Sequence, residues 1–329
     1  MITCHPRFVE MLCSEVKIGL LQLLLVLLRK ECLRFKELLN VFYGCYFGTT
    51  SISDRILLEI FSVYECAGIS CCDLITMWGR QPQPQPQPQL QLEALSKPIH
   101  NLKLVAVESI DADLMSKSID LIEDHDIQNF KHHEFKRKNL YDPSFFMTLL
   151  AHVINDCDLK ILVEKNLIGM AIKLMSSNYI QNRKSANIIM NALLQITCGK
   201  YKHLHLILSS FKNAITSDYE IIPGIISSFI KSAFKIVMKP SSLMYPIVNK
   251  FFLQRAIIDL EDVPMFYEMF FSSDGSFKQY RLFLLRLMLD GLTFEKDYHI
   301  YRRRRCIEIL FAFYESSKDF VSRRLIQQV

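Results

Sequence analysis

Residues 141–154 read YDPSFFMTLLAHVI, and the reading of this stretch decides the fold. Phe145, Phe146, Leu149, Leu150, Val153 and Ile154 recur at i, i+1, i+4, i+5, i+8 and i+9. At 3.6 residues per turn they fall on one broad face of an α-helix. Asp142 offers a side-chain oxygen to the unpaired N–H groups of a first helical turn, and Pro143 has its φ preset for the first helical position. A helix over 143–155 is the expectation.

The same pattern extends in both directions. Leu282, Leu285, Leu289 and Leu292 form a stripe after a turn at Asp274-Gly275, with Ser276 as the expected cap. Ile307, Leu310, Phe311 and Tyr314 form another at i, i+3, i+4 and i+7. Pro264 is expected to open a helix, and Tyr245-Pro246 another. Breaks between stripes give helices over 8–43 (one or two), 53–66, 110–124, 143–155, 159–175, 180–198, 201–215, 222–238, 245–254, 264–272, 276–291 and 297–315. A last segment begins near 318. No convincing period-2 strand is found. Consecutive amphipathic helices with short connections bury their faces by stacking in pairs. The expected class is all-α, an irregular HEAT- or armadillo-like helical array (an α-solenoid), without a fixed-period repeat.

Composition bounds the function. The 329 residues allow about two domains at roughly 150 residues each. Half are hydrophobic and 22% charged, which excludes wholesale disorder. Ten glycines are few, which disfavours glycine-loop nucleotide folds. The net charge of +5 is too mild to mark a nucleic-acid binder by itself. It averages an acidic stretch over 107–134 with a basic C-terminal end. The longest apolar run, Ile18 to Leu28, is about half the ~20 residues of a membrane span, so a buried core helix is expected and no membrane role. The QPQPQPQPQ of 81–89 forbids helix and sheet and favours an extended rod. It divides an N-terminal helical segment (1–79), a Gln/Pro-rich linker (80–98) and a helical array (99–329).

Constellations that could carry chemistry are weak. Ten cysteines contain no Cys-x-x-Cys, so reduced, mostly buried thiols are expected rather than zinc or disulfides. His132-His133-Glu134 lacks further ligands at helical spacing. His203 and His205, at i and i+2 on a helix, point about 200° apart and cannot share an ion. Cys198 has no base signature, and Cys198-Gly199-Lys200-Tyr201 lacks the glycines and Ser/Thr of a phosphate loop. Asp111/Asp113 and Asp124/Asp126 lack an apolar pocket to shift one carboxyl. Lys136-Arg137-Lys138 reads as a solvated loop. No catalytic, cofactor or metal residues are assigned, and no small-molecule substrate or enzymatic role is expected.

Arg302-Arg303-Arg304-Arg305 is the loudest local signal. On one continuous helix, with the Ile307/Leu310/Phe311/Tyr314 stripe inward, Arg302 and Arg305 point outward, Arg303 falls near the stripe, and Arg304 can pair with Glu308. Arg302, Arg305, Arg323 and Arg324 are the candidate contacts to RNA or a protein partner.

Five pieces in order carry a resemblance: YDPSFF (141–146), SSLMYPIVNKFFL (241–253), LEDVPMF (260–266), LMLDGL (287–292) and DYHIY (297–301) with the arginines after it. In these, the chain resembles the C-terminal region of the nucleolar pre-ribosomal-associated protein 1 family. The resemblance implies a helical, solenoid-like scaffold of the nucleus and nucleolus, acting early in large-subunit ribosome assembly. It implies pre-60S assembly factors including a DEAD-box helicase as partners, with support of pre-ribosomal RNA folding and of maturation of 5.8S and large-subunit rRNA. It brings no catalytic residues. Family members are far longer, and the segment before Gln81 matches none of these pieces, so a C-terminal fragment, short isoform or incomplete gene model is the expectation. Structurally, Gly291 is expected to end its helix in a left-handed conformation. The alternative reading is a generic helical-repeat protein adaptor with no RNA role.

Overall fold

Asp142 caps the helix it was expected to start. Its carboxylate accepts from the Ser144 N–H at 2.9 Å, and Pro143 takes the first turn of a helix over Pro143–Val153. All six residues of the 145–154 stripe are buried. The computed structural model describes residues 7–30, 36–71, 75, 78, 99–122, 140–217 and 220–329. Among them, every regular element is an α-helix, and the one extended pairing is an isolated antiparallel bridge between Thr49 and Tyr141. No helix among the described residues is long and apolar enough to cross a membrane.

In chain order the helices are α1 (Phe8–Leu12), α2 (Lys17–Lys30), α3 (Lys36–Cys45), α4 (Ile52–Cys66), α5 (Ile99–Glu108), α6 (Ala112–Asp120), α7 (Pro143–Val153), α8 (Leu159–Glu164) and α9 (Leu167–Leu174). They continue with α10 (Ile180–Thr197), α11 (Lys202–Lys212), α12 (Gly224–Val237), α13 (Tyr245–Leu253), α14 (Phe266–Phe270), α15 (Phe277–Gly291), α16 (Glu295–Arg303), α17 (Cys306–Ser316) and α18 (Phe320–Ile326). The chain forms two compact units, Met1–Ser118 with Asp126–Lys165, and Ile119–His125 with Asn166–Val329. Helices from both sides of the Gln/Pro-rich segment fall in the first unit. That segment itself lies outside the described residues.

In the first unit, a turn is folded over the start of α7. Gly48 takes φ +69°, and a Cβ there would meet the Phe145 ring at 3.0 Å. Its carbonyl accepts from the Asp142 N–H at 2.7 Å. Asp54, fully buried, holds the turn by accepting from the Thr49 N–H (2.8 Å), the Thr49 hydroxyl (2.7 Å) and the Phe47 N–H (3.2 Å). Trp78 closes the cluster, 5.6 Å from Phe145 and 5.3 Å from Phe146 between ring centroids.

In the second unit, α12 is the central element. It reads GIISSFIKSAFKIV and is buried along most of its length, Ser227 and Ser228 included, which marks a helix surrounded by protein. It packs against α9, α11, α13 and α15. Its first residue, Gly224, lies against the last turn of α15. A Cβ on Gly224 would stand 2.5 Å from the Gly291 carbonyl oxygen, and one on Gly291 would stand 2.6 Å from Ile225 Cα. The expectation for Gly291 is therefore corrected. The positive-φ glycines of the described residues are Gly48, Gly68 and Gly199. Gly291 is needed for close approach, not for a left-handed turn.

Asp297 locks this crossing. It is fully buried and accepts from the Gly224 N–H at 2.7 Å, capping α12 from another helix, and from the Phe294 and Thr293 N–H groups at 2.9 and 3.2 Å.

Several expected boundaries shift. The helix expected over 159–175 is interrupted at Asn166, which takes φ 62°; asparagine tolerates that conformation at low cost. The helix expected at Pro264 begins at Phe266, after Met265 at φ 63°. Ser276 precedes α15 but makes no capping hydrogen bond. The buried face of α15 is Tyr280, Leu284, Leu285, Leu287, Met288 and Gly291, since it packs on α12, α14 and α18 rather than on one neighbour. Helix α5 had no counterpart among the expected helices.

Two substitutions test the crossing. Gly291→Ala forces backbone apart and is expected to cost about 2 kcal/mol or more. Asp297→Ala leaves the buried Gly224 N–H and the half-buried Phe294 N–H without this acceptor and is expected to cost about 2 kcal/mol. Urea unfolding followed by circular dichroism measures both; a loss under about 1 kcal/mol in either would contradict the account.

Candidate functional site

The arginine run sits at a helix junction. The helix expected to run continuously over 297–315 is broken, because Arg304 ends α16 and Arg305 takes φ 56° before α17. The predicted inward stripe is accordingly only partly right. Leu310 is buried, but Phe311 is 63% exposed.

The break divides the run by role. Arg304 places its Nη2 at 2.7 Å from Asp259 and its Nε at 3.1 Å from both Asp262 and the Glu261 carbonyl. Its own carbonyl accepts from the Tyr267 hydroxyl at 2.7 Å. The expected Arg304–Glu308 pair is thus replaced by a clasp across to the 259–262 loop, which offers three carboxylates and a carbonyl together. Arg303 joins the clasp, with Nη1 at 2.7 Å from Glu261 Oε2 and Nη2 at 2.8 Å from the Glu261 carbonyl. Burial pushes the Asp262 carboxyl above the usual range, an effect partly offset by Arg304.

Arg302 and Arg305 remain exposed, as expected. No carboxylate of the described residues lies within ion-pair distance of either. Arg323 and Arg324 are also exposed, but they stand on α18. Arg323 lies over the Tyr314 ring at 4.4 Å. The structure therefore brings Arg302 and Arg305 together at one junction and carries the other two on a separate helix.

The remaining candidates resolve into structure. His203 faces Asn249 at 3.1 Å and His205 faces Thr197 at 3.2 Å, so the two diverge. Asp111 caps α6, accepting from the Asp113 N–H at 2.9 Å. Cys198 is an exposed free thiol after α10. Cys13 and Cys66 are exposed too, whereas Cys45, Cys71 and Cys306 are buried, and burial pushes the Cys45 and Cys306 thiols up to about 12. Among the described residues no group of three or more His, Cys, Asp or Glu side chains could hold a metal ion. His132, His133, Glu134, Lys136, Arg137, Lys138, Asp124 and Asp126 lie outside the described residues.

Three features escaped the sequence reading. Arg281 lies over the rings of Phe270, Phe277 and Phe313 and donates from Nε to the Phe270 carbonyl. A cavity of about 270 Å³ is lined by Lys173, Lys231, Asp120, Asp290 and Thr293. Its cations are engaged internally, Lys231 with Asp120 at 3.2 Å and Lys173 with the Thr293 hydroxyl at 3.0 Å. The third is the acidic 259–262 loop. Its three carboxylates in four residues were visible in the sequence, but nothing local said which cations they meet.

The division of labour predicts unequal costs. Arg304→Ala is expected to destabilise by about 1–2 kcal/mol through its lost carbonyl and carboxylate partners. Arg302→Ala and Arg305→Ala are expected to stay within about 0.5 kcal/mol, as surface changes do. Equal losses in thermal unfolding would remove the distinction.

Comparison with known proteins follows the second unit closely. The family model of nucleolar pre-ribosomal-associated protein 1 matches residues 168–329. The mouse (Mus musculus) protein of that name is 24% identical over 298 residues, covering 84% of this chain and 13% of its own length. The human (Homo sapiens) protein is 24% identical over 328 residues, covering 92% of this chain and 14% of its own. The chain thus spans about one seventh of the length of these curated relatives. No solved structure matches. The matched region holds the Gly224–Gly291 crossing, the Asp297 cap and the arginine clasp, and it is through residues 168–329 that the chain is similar to the nucleolar pre-ribosomal-associated protein 1 family.

Proposed function

We propose that this chain is a non-catalytic helical scaffold segment in nucleolar pre-ribosome assembly. The observation that carries the reading is the family match over 168–329, together with the names of the mouse and human relatives. In this reading the second unit is a short, irregular solenoid-like array, supported by the packing of neighbours α9 on α10, α10 on α11, α11 on α12 and α12 on α13. The array presents surfaces to pre-60S assembly factors, a DEAD-box helicase among them, and Arg302 and Arg305 approach pre-ribosomal RNA. Two guanidinium groups without a carboxylate partner among the described residues suit phosphate, which arginine binds through paired N–H donors. The step served is early large-subunit assembly, including folding and maturation of its RNA.

A second reading is a protein adaptor with no RNA role. It is favoured by apolar side chains left in solvent, including Phe311 at 63% and Phe320 at 75% exposure.

Affinity purification of the tagged protein, with RNA crosslinking, separates the two. The scaffold reading expects nucleolar signal, co-sedimentation with large-subunit precursors, and less mature large-subunit RNA on depletion. Normal precursor processing after depletion would overturn it, and a diffuse cytoplasmic signal would favour the adaptor.

A further inference from the structure

The four consecutive arginines are not equally available, and the cause is the chain itself. Asp259, Glu261 and Asp262 occupy the guanidinium groups of Arg303 and Arg304, while Arg302 and Arg305 carry none of these contacts. We infer that the Asp259–Asp262 loop is an intramolecular mask, which stands where phosphates would bind and restricts a single-stranded RNA contact at the α16–α17 junction to Arg302 and Arg305. This rests on the RNA role proposed above and adds its regulation.

Three observations support a mask that can be lifted at Arg303. First, the pairs are open to water: the Arg303 side chain is 52% exposed and Glu261 65%. Exposed pairs contribute little net stability, so phosphate oxygens can compete for the same donors. Second, the geometry matches phosphate recognition. Arg303 presents two nitrogens to one residue, Nη1 to the Glu261 carboxylate and Nη2 to its carbonyl. Third, Arg304 is held more firmly. It is 35% exposed and contacts Asp259, Asp262 and the Glu261 carbonyl, and its backbone is tied to Tyr267. Arg303 is therefore the cation that Glu261 withholds, and Arg304 the structural anchor.

Counterion release reads this out directly. Each cation brought onto single-stranded RNA steepens the dependence of log affinity on log salt by about 0.7. The full chain is titrated onto a fluorescein-labelled oligouridylate by anisotropy across a salt series. Glu261→Gln is expected to steepen the slope by about 0.7, and Asp259→Asn with Glu261→Gln and Asp262→Asn by up to about 1.4. Adding Arg303→Gln to Glu261→Gln is expected to restore the wild-type slope. Glu308→Gln, which removes a nearby exposed carboxylate that pairs with no arginine of the described residues, is expected to leave the slope unchanged; that separates a freed arginine from the mere loss of a negative charge, and a cooperative thermal transition confirms that each variant folds.

The outcomes distinguish the mask from the reading beneath it. If wild type and Glu261→Gln bind with equal slopes, the mask is refuted while the RNA contact stands. If Arg303→Gln fails to restore the slope, the mask is also refuted. If wild type does not bind but Glu261→Gln does, the mask stands and the roles of Arg302 and Arg305 fall. If neither binds, both fall.

Discussion

One close contact organises the second unit: the meeting of Gly224 with Gly291 beneath the carboxylate of Asp297. Neither position has room for a Cβ, so the start of α12 and the end of α15 touch backbone to backbone. Such an approach leaves polar backbone groups out of water, where an unpaired N–H is expensive. Asp297 resolves this by accepting from Gly224, Thr293 and Phe294 together. With its N-terminus capped from outside, α12 can be buried along most of its length and serve as the post on which α9, α11, α13 and α15 pack. The cavity holding the Lys231–Asp120 ion pair lies beside the same crossing, where Ser228 and Lys173 both donate to the Asp290 carbonyl.

Charge in this protein is used first to join helices and only then to face outward. Arg281 fills a gap between three phenylalanines, Arg255 covers Phe251 while pairing with Glu268, and Arg304 clasps the 259–262 loop. Each such arginine sets its guanidinium over a ring or spreads its fork over several oxygens, as its planar, delocalised charge allows. A count of basic residues therefore overstates the surface available to a polyanion. Of the run 302–305, half is structural, and the proposed RNA contact rests on the residues that the acidic loop leaves out.

How much was legible in the sequence depended on the range of the interaction. The 145–154 stripe and the Asp142–Pro143 start were readable, because an N-cap and a 3.6-residue period are set by neighbours within a turn or two. The extents of α12 and α15 were readable to within about two residues for the same reason. The breaks at Asn166 and Arg305 were not, since both are left-handed residues whose cost is repaid by packing on either side. Gly291 shows the limit well. A glycine near a helix end has two common uses, and choosing between a left-handed turn and a close approach required knowing that Ile225 lay 2.6 Å from its missing Cβ.

By itself the sequence determined that the chain is helical, where most helices start and stop, and which family its five ordered motifs resemble. These are consequences of local periodicity and of residue order. Only the tertiary structure decided which charges are spent. Arg303 and Arg304 meet carboxylates more than 40 positions away, and Asp297 caps a helix 73 residues earlier. A guanidinium or a carboxylate takes the partner that folding brings within reach, and sequence distance carries no information about that.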